Sequence, residues 1–157
     1  MIVLGIDPGS NYTGWGVIEV ENRKMRSLGA GRISVGQHEF GKRLVLIYDG
    51  ITSIVKQYNP QVAAIETVFV HKNVQSALKL GHARGAALVA VEKLGLSPIE
   101  ISPRLVKKTV CGHGGMDKKG VEKMVKYLLG VQEALSTDAA DALAIAISAS
   151  VLHGSKV

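Results

Sequence analysis

At 157 residues, with 46% hydrophobic and 20% charged side chains, the chain can bury a real core and is too apolar for a disordered segment. Its formal charge of +6 favours a polyanionic partner, nucleic acid first. No apolar run reaches the roughly 18–20 residues of a membrane span, the N-terminus lacks the basic stretch of a signal peptide, and the lone Cys111 allows no internal disulfide, so one cytoplasmic domain over residues 1–157, with no membrane partner, is expected.

The opening, MIVLGIDPGSNYTGWG, organises the chain. An apolar run over residues 2–6 delivers Asp7 to a turn made by Pro8, Gly9, Ser10 and Asn11, and a second apolar run over 15–20 returns. A carboxylate at the end of a buried strand needs a cation, a metal or a proton, unless it caps the turn through an Asx hydrogen bond. Residues 25–34 alternate as a third strand, and residues 41–58 form an amphipathic helix with Leu44, Ile47, Tyr48, Ile51 and Val55 inside and Arg43, Asp49 and Lys56 outside. Asn59-Pro60 ends that helix.

The short strand VAAIE, residues 62–66, again ends in a carboxylate, Glu66. A helix over 73–94 follows. It is apolar on more than one side, with Ala77, Gly81 and Gly85 every fourth residue, which fits either a fully internal helix or one face on the sheet and another on a second copy of the chain. A fifth strand over 98–102 leads to a short helix over 103–110, the glycine turn CGHGG, a helix over 118–129 and a last helix over 138–152, N-capped by Ser136 or Thr137, with a frayed tail from His153. The order implies a mixed α/β sheet with helices packed on it.

Between residues 104 and 126 seven Lys or Arg residues face only Asp117 and Glu122, so this segment carries +5 of the net charge. It is either a solvated helix surface or a track for a phosphate backbone along the glycine turn.

Four of the 13 acids stand apart. Asp7 and Glu66 end two buried strands, while Asp138 and Asp141 lie at i and i+3 in STDAADALAIAI and project from one helix face. Each alone has a structural explanation, such as helix-dipole stabilisation of Asp138. Together, at the convergent ends of parallel strands, they would repel one another unless hard divalent cations, Mg²⁺ or Mn²⁺, sat between them. The small Ala139 and Ala140 let the helix approach the sheet closely. Carboxylate-only ligation on a basic protein points to phosphate chemistry, with two metals clamping an in-line displacement.

GIDPG with its acid, the strand ending AIE before a Phe loop, NVQSALKLGHARGAALVA and the late DAADALAIA resemble the RuvC family of bacterial Holliday-junction resolvases, in order, over residues 1–150. GIDPG alone also resembles openings of sugar kinases and actin-like ATPases. The RuvC resemblance implies a ribonuclease H-like fold, with a mixed five-stranded sheet and helices on both faces. It also implies a homodimer and a metal-dependent endonuclease that nicks two strands of a four-way DNA junction symmetrically, working with the RuvA–RuvB branch-migration complex. The family's catalytic and metal-binding acids fall on Asp7, Glu66, Asp138 and Asp141, with Asp7 bridging two Mg²⁺ ions, which Mn²⁺ can replace.

Phe69 matches an aromatic that touches bases at the junction centre, although a strand-end core residue would look the same. Lys107 and Lys118 match basic DNA-contacting positions. Lys72, Arg104, Lys108 and Lys119 join the DNA-binding set on charge and proximity. Met116 and Gly120 stand where the family often has Ala and Gln, and Gly120 removes a side chain near the DNA-facing loop. Three other readings remain at this stage: an actin-like phosphotransferase, a junction-binding module without catalysis, and an RNA:DNA hybrid nuclease of the same fold.

Overall fold

The computed structural model describes residues 1–68 and 73–154. Its elements are β1 (Ile2–Asp7), β2 (Tyr12–Glu21), β3 (Lys24–Ser34), α1 (Phe40–Tyr58), β4 (Val62–Glu66), α2 (Val74–Lys93), β5 (Ile99–Ile101), α3 (Pro103–Cys111), α4 (Lys118–Leu129) and α5 (Thr137–Gly154). The strands form one sheet in the order β3-β2-β1-β4-β5. The first three make an antiparallel meander, and β1–β4 and β4–β5 pair in parallel. This is the ribonuclease H-like arrangement implied by the resemblance.

Alternation along the strands separates two cores. Val3, Ile18, Val62, Ala64 and Ile101 face α3, α4 and α5. Leu4, Ile6, Val17, Ala63 and Ile65 face α1 and α2. Helices therefore cover both faces, and β1 and β4 are buried on both sides, which is why they read as unbroken apolar runs.

Element boundaries shift for local reasons. β2 begins at Tyr12, not Trp15, because Gly14 and Gly16 remain in the ladder opposite Asp7 and Gly5. β5 shortens to Ile99–Ile101. α1 stops where Asn59 turns left-handed (φ 46°) and its N–H bonds to the Val55 carbonyl at 2.9 Å. Ser136 caps α5, its Oγ accepting from the Ala139 N–H at 3.2 Å. His153 lies within α5, so the helix continues past the expected fraying point.

α5 lies unusually close to the sheet. Its buried face includes Ala139, Ala140, Ala142 and Ala146, as the small residues suggest. The sheet contributes equally: a Cβ on Gly5 would meet the Ala142 carbonyl, one on Gly14 the Asp138 carbonyl, and one on Gly16 the Leu143 side chain at 2.8 Å. Gly5 and Gly16 are cross-strand partners, so these glycines form a flat bed under the helix.

Candidate active site

The pleat decides where the acids point. Val3, Gly5 and Asp7 share one face of β1, and Val62, Ala64 and Glu66 share the same face of β4. The parallel register pairs Ile6 with Ile65, so the next residues along, Asp7 and Glu66, end adjacent strands side by side beneath α5. There the first turns of α5 bring Asp138 over Gly14, itself the cross-strand partner of Asp7, and Asp141 lies one turn on. All four acids singled out in the sequence meet at one place.

Their electrostatics follow from that placement. Burial, reinforced by Glu66, Asp141 and Asp138, pushes the Asp7 carboxyl up to about 8. Burial and Asp141 push Glu66 up to about 7, with Lys118 and Lys107 acting in the opposite direction. Asp141 is also raised by burial, against the pull of Lys118. The Lys118 ammonium is raised in turn, chiefly by Asp141, whose Oδ2 lies 3.4 Å from Nζ. Arg32 stands 3.6 Å from Asp138 Oδ2 on the other flank.

The turn after Asp7 is held by groups other than the acid. Thr13, fully buried, donates its hydroxyl to the Gly9 carbonyl at 3.2 Å. Arg43, read from helical spacing as a solvent-facing cation, instead donates to the carbonyls of Ser10 (3.2 Å), Gly36 (2.9 Å) and His38 (2.7 Å) and to Asn11 Oδ1 (3.1 Å). Among the described residues no hydrogen bond from this turn ends on the Asp7 carboxylate, so the Asx-cap reading gives way. Arg84 of α2 similarly secures the end of β4, donating from Nε to the Glu66 carbonyl at 3.1 Å while Nη2 lies 2.7 Å from Glu100 Oε2.

The sequence-selected cations divide by position. Lys107 and Lys118 line a cavity of about 210 Å³ together with Glu66, Asp141, Pro103, Val106, Val121 and Ala144. Arg104, Lys108 and Lys119 are exposed outside it, with Arg104 against the glycine turn at Gly114. Phe69 and Lys72 lie outside the described residues. α3 and α4 have no acid in their first turns and carry Arg104, Lys118 and Lys119 there instead. Cations at a positive helix end oppose the dipole, an arrangement suited to an external polyanion.

The two residues flagged as departures share one space. Met116 occupies the position where a Gly120 side chain would begin, with Cγ 2.5 Å from its ideal Cβ, and Asp117 Oδ1 accepts from the Gly120 N–H at 2.8 Å to cap α4. Arg32 and Arg43 were missed in the sequence. Arg32 shares the acid face with Ala30, but the irregularity at Leu28 breaks the period-two alternation that would have shown it, and Arg43 carries no such signal.

The donor set would fit a hard divalent cation: every candidate ligand atom is a carboxylate oxygen, and Lys118 only partly offsets what burial and the neighbouring acids do to Asp7. Among the described residues no three acid, histidine or cysteine side chains are already gathered as a metal cage. Two of the four acids are engaged by Arg32 and Lys118 instead.

A model of the crossover junction endodeoxyribonuclease RuvC family matches residues 3–149. The chain is 50% identical over 146 residues to the RuvC of Pseudoalteromonas translucida, covering 93% of this chain and 84% of the relative. A Thermus thermophilus RuvC structure superposes with a TM-score of 0.90 at 33% identity, covering 99% of this chain and 97% of the other. T. thermophilus RuvC in complex with a Holliday junction substrate gives 0.89 at 30% identity, covering 99% and 96%. With fold and sequence agreeing over nearly its whole length, the chain belongs to the RuvC family of crossover junction endodeoxyribonucleases.

Proposed function

We propose that this endonuclease resolves four-way DNA junctions through Asp7, Glu66, Asp138 and Asp141, which hold two Mg²⁺ ions, with Mn²⁺ able to substitute. The family depends on divalent metal. The convergence of Asp7 and Glu66 at two strand ends with Asp138 and Asp141 of α5, next to a cavity lined by Lys107 and Lys118, carries the reading. Bound cations supply Lewis-acid charge at the phosphodiester and a more acidic attacking water. The chain's own groups do the rest. Lys107 and Lys118 hold the scissile strand by its phosphates, and the buried strand ends fix the carboxylates so that no reorganisation is needed. Asp7, held protonated near neutral pH by burial and its neighbouring acids, would have to be ionised to hold a cation.

Arg104, Lys108 and Lys119 extend the DNA track outward, Phe69 touches bases at the junction centre, and Lys72 reaches a phosphate from the same loop. A homodimer places two such sites for symmetric nicks. Supporting it, Leu78 and Val89 of α2 are 58% and 57% exposed, and an apolar hollow is lined by Leu44, Val45, Tyr48, Gly85, Ala86 and Val89. A single domain carries the activity in the cytoplasm, receiving junctions from RuvA–RuvB. No helix among the described residues is long and apolar enough to cross a membrane.

A gel assay with a synthetic four-way junction, a matched duplex and a matched RNA:DNA hybrid, in Mg²⁺ and in EDTA, tests the reading. Paired nicks in the junction alone, dependent on Mg²⁺, are expected. Preferential cutting of the hybrid, or junction binding that never leads to nicks, would overturn it.

A further inference from the structure

The acid cluster has a cation on each flank, and the one on the β3 side belongs to a construction of its own. The register pairs Asp7 with Gly14 and Gly14 with Arg32, so three strands present an acid, a bare glycine and an arginine in one row. Asp138 lies over the glycine. Two strand spacings of about 4.8 Å put the Arg32 backbone roughly 10 Å from that of Asp7. Tyr12, two residues before Gly14 on β2, is the diagonal same-face neighbour of Arg32, and the guanidinium carbon sits 4.1 Å from the centre of its ring.

Neither residue is used by the core. The Arg32 side chain is 46% exposed and Tyr12 is among the exposed large side chains. A half-exposed ion pair at 3.6 Å, such as Arg32–Asp138, adds little to stability. Stacking on an aromatic face fixes the plane of a guanidinium while leaving its N–H edge available, and that edge matches two phosphate oxygens. Lys107 and Lys118 approach the acids from the α3–α4 side, whereas Arg32 approaches from the sheet edge.

We propose that Tyr12 and Arg32 form a phosphodiester-binding subsite for the cleaved strand, gripping a phosphate beside the scissile one on the flank opposite Lys107 and Lys118. The inference rests on the nuclease reading above and adds a contact that this reading does not include.

Junction binding is measured by anisotropy against KCl concentration, with Ca²⁺ loading the acids, alongside nicking kinetics in Mg²⁺, for the wild type, Arg32→Gln, Arg32→Lys and Tyr12→Leu. Losing one phosphate contact per subunit should lower the magnitude of the log K against log salt slope by about 0.9 per subunit in Arg32→Gln. Its KM should rise several-fold with a smaller change in kcat. Arg32→Lys should keep the slope, and Tyr12→Leu should keep the slope with weaker binding. If Arg32→Gln does not fold, loss of affinity in Tyr12→Leu and Arg32→Lys with the wild-type slope supports the subsite, and wild-type affinity in both overturns it. A folded Arg32→Gln with the wild-type slope and KM, while the wild type nicks junctions normally, overturns the subsite and leaves the nuclease reading intact. A wild type that neither binds nor nicks junctions removes both.

Discussion

The backbone carbonyl of Asp138 occupies the space above Gly14 that any Cβ would take. The first turn of α5 therefore reaches the acid cluster only because one strand residue has no side chain. Gly14→Ala should force the helix off the sheet where Asp138 and Asp141 begin. Overpacking of this kind costs about 1–3 kcal/mol, and a displacement near 1 Å at a reacting centre costs about a hundredfold in rate. The expected variant is folded, a few degrees less stable by thermal melting, and slower at cleavage by about that factor. Wild-type nicking by Gly14→Ala would show that the helix has slack.

Asp7→Asn keeps the shape of the side chain and removes the charge that burial and three neighbouring acids oppose. Nicking should fall by more than about a thousandfold, while junction affinity, dominated by phosphate contacts, should change little. Measuring both on one preparation separates a failed assignment from a failed fold. Retained cleavage would remove Asp7 from the chemistry.

The same burial makes stability depend on pH. Asp7 and Glu66 titrate at about 8 and about 7 in the folded chain, against 3.8 and 4.5 as ordinary values. Between those limits the folded state holds more protons than the unfolded state, so metal-free stability is greatest below about pH 4 for these two groups and declines as pH rises towards 8. Their combined effect is several kcal/mol, with roughly 9 kcal/mol as the limit before solvent screening of the less deeply buried Glu66. Melting in EDTA should fall across this window, and saturating Mg²⁺ should restore most of the loss at pH 8. In Asp7→Asn much of the slope should vanish. A flat profile in EDTA would mean that the acids are better solvated than their burial implies.

What was legible in the sequence, and what was not, follows from the range of each signal. Asp7 and Glu66 stood out because an acid ending an apolar run is a local anomaly. Asp138 and Asp141 stood out because i, i+3 spacing is a local geometry. Helix ends at Asn59 and Ser136 were readable from short-range hydrogen-bonding chemistry. The glycine bed was hidden, since Gly5, Gly14 and Gly16 matter only through α5, more than a hundred residues later. Arg43 was misplaced because helical periodicity cannot distinguish a solvated guanidinium from one that ties down the β1–β2 turn. Met116 and Gly120 read as separate departures until their shared space was visible.

Lys118 lowers Asp7, Glu66 and Asp141 against the effect of burial. Lys118→Ala removes that opposing charge, so all three carboxyls should hold their protons to higher pH. Because a carboxylate must be ionised to hold a metal in the proposed site, the rising limb of the pH–rate profile at fixed Mg²⁺ should move to higher pH, with nicking at neutral pH reduced tenfold or more. Raising Mg²⁺ should recover part of the loss, since cation binding competes with protonation. A uniform drop in rate with no shift of the limb would assign Lys118 to phosphate binding alone.

In a dimer joined through the outer side of α2, assembly would be linked to chemistry. Leu78 and Val89 project from the helix whose Arg84 secures the Glu66 end of β4, so covering that side with a second copy would also steady the acid. Gly81 and Gly85 leave open space above the helix, which allows a close approach of another backbone. Two charges placed there, in the double variant Leu78→Glu and Val89→Glu, should abolish dimerisation, because burying unpaired carboxylates against apolar side chains costs several kcal/mol. Light scattering should report half the wild-type mass. A junction labelled on two strands should then show single nicks at separate times in place of paired ones, with weaker binding overall. A variant that keeps the dimer mass would move the interface elsewhere, and a monomer that still cuts both strands together would show that pairing of the nicks does not require two joined subunits.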